Sequence, residues 1–159
     1  YEIEQIIEER GMREWTEIGF SSIYYLLKKL EKMDFVVSEL IPTLGRGKAR
    51  RVYEVTDEGQ TALREATLEA LSHPKQSYPA ILLGIANLPI LDGNQAQSAL
   101  ESYLEGVEER LGHISAQVEV QSPLPDHVQY LFDHSLMMLE AEKSWVEKTI
   151  QKMKSGAEV

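Results

Sequence analysis

The chain has no cysteine among its 159 residues. That excludes a disulfide framework and thiolate chemistry, and it fits a reducing compartment, so the cytoplasm is the expected location. No apolar run approaches the roughly 20 residues that a membrane helix needs, and no membrane partner is expected. The opening Tyr1-Glu2-Ile3-Glu4 has neither the basic region nor the apolar core of a signal peptide. Phosphate loops, nucleotide-binding glycine patterns and Gly-x-Ser-x-Gly elbows are missing. Carboxylates are abundant on helix faces, but none is paired with a group that would shift it. His73, His113, His127 and His134 show no metal spacing; the last two are seven apart, where i, i+4 would bring imidazoles together. The reading is therefore a non-enzyme with no metal and no cofactor. Internal repeats and low-complexity segments are also missing.

Positive charge is scarce overall, with a net charge of −10. Its distribution matters more than its total. Residues 1–60 hold 9 Lys/Arg against 12 Asp/Glu, and residues 61–159 hold 7 against 14. Four of the nine N-terminal cations are packed into Arg46 to Arg51. A local cationic patch can contact phosphates while the remaining surface stays acidic, and that balance keeps non-specific binding weak.

What the chain does have is concentrated between Gly19 and Gly59. Ile23, Leu26, Leu27 and Leu30 recur at i, i+3, i+4 and i+7, one face of an amphipathic helix. Ser22, Tyr25, Lys28, Lys29 and Lys32 lie largely off that face. Two β-rich stretches follow, Val36 to Leu40 and Arg51 to Val55, ten residues apart. Between them, Gly45-Arg46-Gly47-Lys48-Ala49-Arg50-Arg51 is a flexible cationic tip. A polar helix beside a basic hairpin is what a winged helix presents to duplex DNA.

Upstream, Tyr1 to Met12 reads as a helix with Ile3, Ile6 and Ile7 on one face, and Glu14 to Glu17 as a short second element. Ser21 or Ser22 is the expected N-cap of the organising helix, and Asp34 its left-handed end. Thr56-Asp57-Glu58-Gly59 looks like a helix entry, leading to a connecting helix over Thr61 to Leu71. Ser72 to Ser77 is the clear composition break, which divides a domain over 1–72 from one over 78–155. Pro79 suits the first position of a short apolar helix, Ala80 to Asn87, stopped by Pro89.

Asp92 and Gln95 form a capping-box pattern. After it, Leu100, Leu104, Val107, Leu111, Ile114 and Val118 are spaced 4, 3, 4, 3 and 4 apart, a coiled-coil seam. Ser122 to Asp126 reads as a rigid turn, and Asp126 to Lys154 as the last helix. That helix has one stripe of Phe132, Leu136, Leu139, Val146, Ile150 and Met153, and a second of Leu131, Met138 and Trp145. Two stripes exceed what one antiparallel partner covers. Leaving the second wet would forfeit several kcal/mol at roughly 25 cal/mol per Å², so a second chain is expected there. Trp15 and Trp145 could line an effector pocket, although packing is the simpler role for large aromatics.

These motifs resemble the PadR family of bacterial transcriptional regulators. Tyr1-Glu2-Ile3 is similar to the end of that family's early Gly-Tyr-Glu-Ile segment. Ser22-Ile23-Tyr24, Leu27 and Leu30-Glu31 follow its recognition helix, with Asp34 where the family has glycine. Tyr53-Glu54-Val55-Thr56-Asp57-Glu58-Gly59 follows the end of its wing. The resemblance covers residues 1–70; the rest matches in layout, like the subgroup with the larger helical dimerisation domain. The family's first helix would precede Tyr1, which predicts an exposed apolar groove along Ile3, Ile6 and Ile7.

The resemblance implies a mostly α fold: an N-terminal winged helix-turn-helix with a two-stranded β wing, lacking its first helix, and a C-terminal helical dimerisation domain. It implies a homodimeric, sequence-specific regulator on double-stranded DNA with a near-palindromic operator, a repressor before an activator. Ser21, Ser22, Tyr24, Tyr25, Lys28, Lys29, Arg46, Lys48, Arg50 and Arg51 are the candidate DNA contacts. Leu131, Leu136, Met138, Leu139, Trp145, Val146 and Ile150 are the candidate dimer interface. A small-molecule effector between the two domains would supply regulation, but no residue pattern identifies it. The alternatives are an activator of the same fold and an adaptor whose winged helix binds protein.

Overall fold

A computed structural model describes residues 2–12, 16, 19–42, 49–121 and 123–156. It divides into two units, Tyr1–Ser77 and Tyr78–Val159.

In the first unit, α1 (Glu2–Glu9) buries Ile7 and leaves Ile3 and Ile6 at the surface, 39% and 43% exposed. The apolar face expected there is thus partly open. The short element expected over Glu14 to Glu17 falls almost wholly outside the described residues. Helix α2 (Phe20–Lys32) buries Ile23 and half-buries Leu27, whereas Leu26 and Leu30 reach the surface. Gly19, with extended backbone, occupies its N-cap and no side chain caps it, so neither Ser21 nor Ser22 has that role. Both serines lie inside the first turn.

The end of α2 is a Schellman turn. The Phe35 N–H donates to the Leu30 carbonyl at 3.0 Å, and that of Asp34 to Glu31 at 3.1 Å. Asp34 takes the left-handed conformation, φ 59°, which the turn requires and glycine would adopt at less cost. The chain then enters β1 (Val36–Ile41), antiparallel to β2 (Arg50–Val55), in a register that sets Val36 opposite Val55 and Leu40 opposite Arg51.

Helix α3 (Asp57–Ser72) is joined to this turn by Thr56 and Gly59. The Thr56 N–H donates to the Phe35 carbonyl at 3.1 Å, and its hydroxyl to the Asp34 carbonyl at 2.6 Å. The same hydroxyl accepts from the Gly59 N–H at 3.0 Å, capping α3. A Cβ at Gly59 would lie 2.0 Å from the Phe35 carbonyl oxygen. Only glycine permits that approach, which explains the Thr-x-x-Gly spacing.

In the second unit, α4 (Ala80–Ala86) has Pro79 at its N-cap, one position earlier than its sequence-based place, and a 3₁₀ turn (Leu88–Ile90) follows. Helix α5 (Gly93–Gln121) opens with a reciprocal capping box. Gln95 N–H donates to Asp92 Oδ1 at 2.8 Å, and Asp92 N–H to Gln95 Oε1 at 3.1 Å. Helices α5 and α6 (Asp126–Lys154) enclose two apolar clusters. One is Val107, Ile114, Phe132 and Leu139; the other is Leu100, Val146 and Ile150, with Ile81 and Ile85 of α4 packed against it. Each fully buried side chain of this kind contributes about 1.5–3 kcal/mol. Polar ties fix the helix register: Lys143 Nζ to Glu108 at 2.6 Å, Lys154 Nζ to Glu101 at 2.8 Å, and Tyr103 OH to Glu142 at 2.5 Å.

Candidate nucleic-acid interface

Burying Ile23 turns the opposite face of α2 to solvent. Tyr24 and Tyr25 are 58% and 67% exposed, and Lys28 and Lys29 are exposed one turn further on. Ser22 is half-buried. Two hydroxyls and two ammonium groups on one rigid element can reach phosphate oxygens or base edges. Lys29 and Lys32 also stand in the last turn, where the helix dipole favours cations.

Two wing arginines are placed by the β1–β2 register, each with an acidic neighbour. Arg50 Nη1 lies 2.8 Å from Glu2 Oε1 of α1. Arg51 Nη1 donates to Ser38 Oγ at 3.0 Å and lies 4.0 Å from Glu31 Oε1. Ser38 Oγ in turn donates to that same Glu31 oxygen. Glu31, Ser38 and Arg51 therefore link the end of α2 to both strands. Sequence reasoning missed Glu2, Glu31 and Ser38. The one available signal was Glu31, an acid beside Lys28, Lys29 and Lys32 at a helix end that disfavours negative charge. Arg46 and Lys48 lie outside the described residues, as does the side chain of Ser21.

The residues assigned to a dimer interface separate into two groups. Leu139, Val146 and Ile150 are buried against α5, and Leu136 packs on the same core, so the chain itself covers them. Leu131, Met138 and Trp145 remain at the surface, 36%, 60% and 40% exposed. Met138 and Trp145 border an open, apolar groove of about 570 Å³ with Pro79, Ile81, Leu82 and His134. Beside it, Tyr103 is pushed up to about 12 by burial, then by its hydrogen bond to Glu142 and that carboxylate's charge. Glu101 is held below the usual carboxylate range, chiefly by its bond to Lys154; the bond to Glu108 raises Lys143. Among the described residues no cluster of three or more His, Asp or Glu converges on a metal position, and no helix is long and apolar enough to cross a membrane.

Residues 1–65 match the model of the transcriptional regulator PadR-like family. That match lies within the N-terminal unit. Solved structures extend the PadR-like fold through the helical half. Bacillus subtilis PadR in complex with operator DNA is 20% identical, TM-score 0.77, over 94% of this chain and 87% of that one. The same protein in complex with p-coumaric acid is 20% identical, TM-score 0.74, over 96% and 88%. The Vibrio cholerae virulence activator AphA is 15% identical, TM-score 0.75, over 99% and 90%. No curated protein matches the chain. The fold is thus mostly α, a winged helix-turn-helix with a two-stranded wing and a helical C-terminal region.

Proposed function

We propose that this chain is a dimeric, sequence-specific DNA-binding regulator that acts as a repressor in the cytoplasm. The observation that carries the reading is the outward face of α2, where Tyr24, Tyr25, Lys28 and Lys29 stand exposed on a PadR-like domain. Residues 1–72 bind DNA, with α2 in the major groove, while Arg50 and the tip cations Arg46 and Lys48 anchor each half-site by phosphate contacts. Residues 78–155 pair two chains through the Leu131, Met138 and Trp145 stripe, which matches a near-palindromic operator to a two-fold protein. A small molecule regulates by altering half-site spacing; the Bacillus subtilis structure in complex with p-coumaric acid supports the binding of a small molecule. Activation is the second reading, supported by the fold likeness to AphA.

A gel shift on duplex DNA from upstream of the protein's own gene tests the proposal. Wild type forms a discrete complex, and Lys28→Ala with Lys29→Ala abolishes it at the same salt. An unchanged complex in that variant contradicts the reading and favours the adaptor. Solution mass tests pairing: wild type has twice the chain mass, and Met138→Ser with Trp145→Ser has the mass of one chain. A monomeric wild type contradicts the dimer.

A further inference from the structure

Glu31 is an acid where two fields oppose it. It lies in the last turn of α2, where the carbonyl end of the helix dipole repels negative charge. It is also flanked by Lys28, Lys29 and Lys32, on the helix proposed to meet a polyanion. A carboxylate so placed lowers DNA affinity unless it does something else. Its contacts show what that is. One oxygen accepts from Ser38 of β1 and lies 4.0 Å from Arg51 of β2, while Ser38 accepts from Arg51 at 3.0 Å. Three elements, α2, β1 and β2, converge on one oxygen. The two strands themselves offer little other anchorage: in β1 only Val36 is buried, and β2 buries none of its six residues.

We infer that Glu31, Ser38 and Arg51 form a strut fixing the wing to the recognition helix, so that Arg51 is a positioning residue and not a phosphate contact. The inference rests on the DNA-binding reading above. Without the strut the wing must be ordered at the moment of binding, and that entropy is subtracted from affinity. Arg50, whose acidic neighbour Glu2 lies on α1 and not on the recognition helix, remains the cation free to exchange its partner for a phosphate.

The two roles for Arg51 give opposite signs for one substitution. If Glu31 merely holds back a DNA-contacting arginine, Glu31→Gln removes a repulsive charge and tightens binding. If the strut positions the wing, Glu31→Gln weakens binding roughly three- to tenfold, the worth of a typical immobilised side-chain bond. The probe is a duplex selected by the wild-type protein from a random-sequence pool, with affinity measured across a salt series. Arg51→Ala weakens binding with an unchanged slope of log affinity against log salt, whereas Arg50→Ala makes the slope shallower by about one unit per contact. Glu31→Gln with Arg51→Ala is no weaker than Arg51→Ala alone. Tighter binding by Glu31→Gln, or a shallower slope in Arg51→Ala, overturns the strut and leaves DNA binding intact. Failure of wild type to select any duplex overturns both. A readout without DNA stands beside these: Glu31→Gln speeds amide exchange across β1 and β2, and unchanged exchange overturns the strut.

Discussion

The two units are held together by different means. In the C-terminal unit, Leu100, Val107, Ile114, Phe132, Leu139, Val146 and Ile150 bury apolar surface along two long helices. In the N-terminal unit the buried apolar side chains are Ile7, Ile23 and Val36 among the described residues. Much of its definition comes instead from directed bonds: the Schellman turn at Asp34, the Thr56 bridge, the contact at Gly59 and the strut at Glu31. A helix pair needs only area and periodicity. A small reader of DNA needs a helix and a hairpin at fixed angles, and hydrogen bonds specify angles where apolar contact does not.

That contrast can be broken by substitution. The largest effect belongs to the apolar unit. Ile114 is 1% exposed, and Ile114→Ala should lower stability by about 2–5 kcal/mol in denaturant unfolding. A loss below about 1 kcal/mol would mean the heptad seam is less closely packed than described. Next is Gly59→Ala, which adds one methyl group and removes no apolar side chain. The carbonyl of Phe35 must move, and a cost of about 1–3 kcal/mol, with loosened wing amides in exchange measurements, is expected. A neutral result would remove the backbone contact as a determinant. Asp34→Gly should act in the opposite direction, gaining about 1 kcal/mol or less by relieving the left-handed residue at φ 59°. A loss would show that the aspartate side chain contributes more than its backbone strain costs.

The smallest effect sharpens the apolar side of the comparison, where one polar tie is built into the packing. The Tyr103 phenol is raised from 10.0 to about 12, first by burial and then by Glu142. Its folded value lies above its unfolded one, so the stabilisation is complete below pH 10 and is lost as pH rises through about 12. Tyrosinate absorbance against pH should show one of the seven tyrosines titrating late, and Glu142→Gln should bring it earlier. Seven tyrosines titrating together would contradict the Tyr103–Glu142 tie.

Much of the fold was legible because it rests on local rules. The capping box at Asp92 and Gln95, the seam from Leu100 to Val118 and the left-handed Asp34 all follow from short-range spacing. The two stripes of α6 were legible too, although assigning both Leu139 and Met138 to one interface mixed a core residue with a surface one. The cap of α2 was misread because serine is the commoner N-cap, yet the N-cap is Gly19, two residues before Ser21 and three before Ser22. Exposure was the least legible property: the apolar Leu63 and Leu71 of α3 are 67% and 82% exposed. The strut could not be read at all. It depends on which residue of β1 faces which residue of β2, and ten intervening residues leave that register open to sequence.

The measurement closest to the central claim is the salt dependence of affinity for a selected duplex, wild type against Lys28→Ala with Lys29→Ala. Contact of the α2 face with phosphates predicts weaker binding and a slope shallower by about one unit for each contact removed. Affinity and slope both unchanged would contradict it, and would mean that α2 does not touch the nucleic acid.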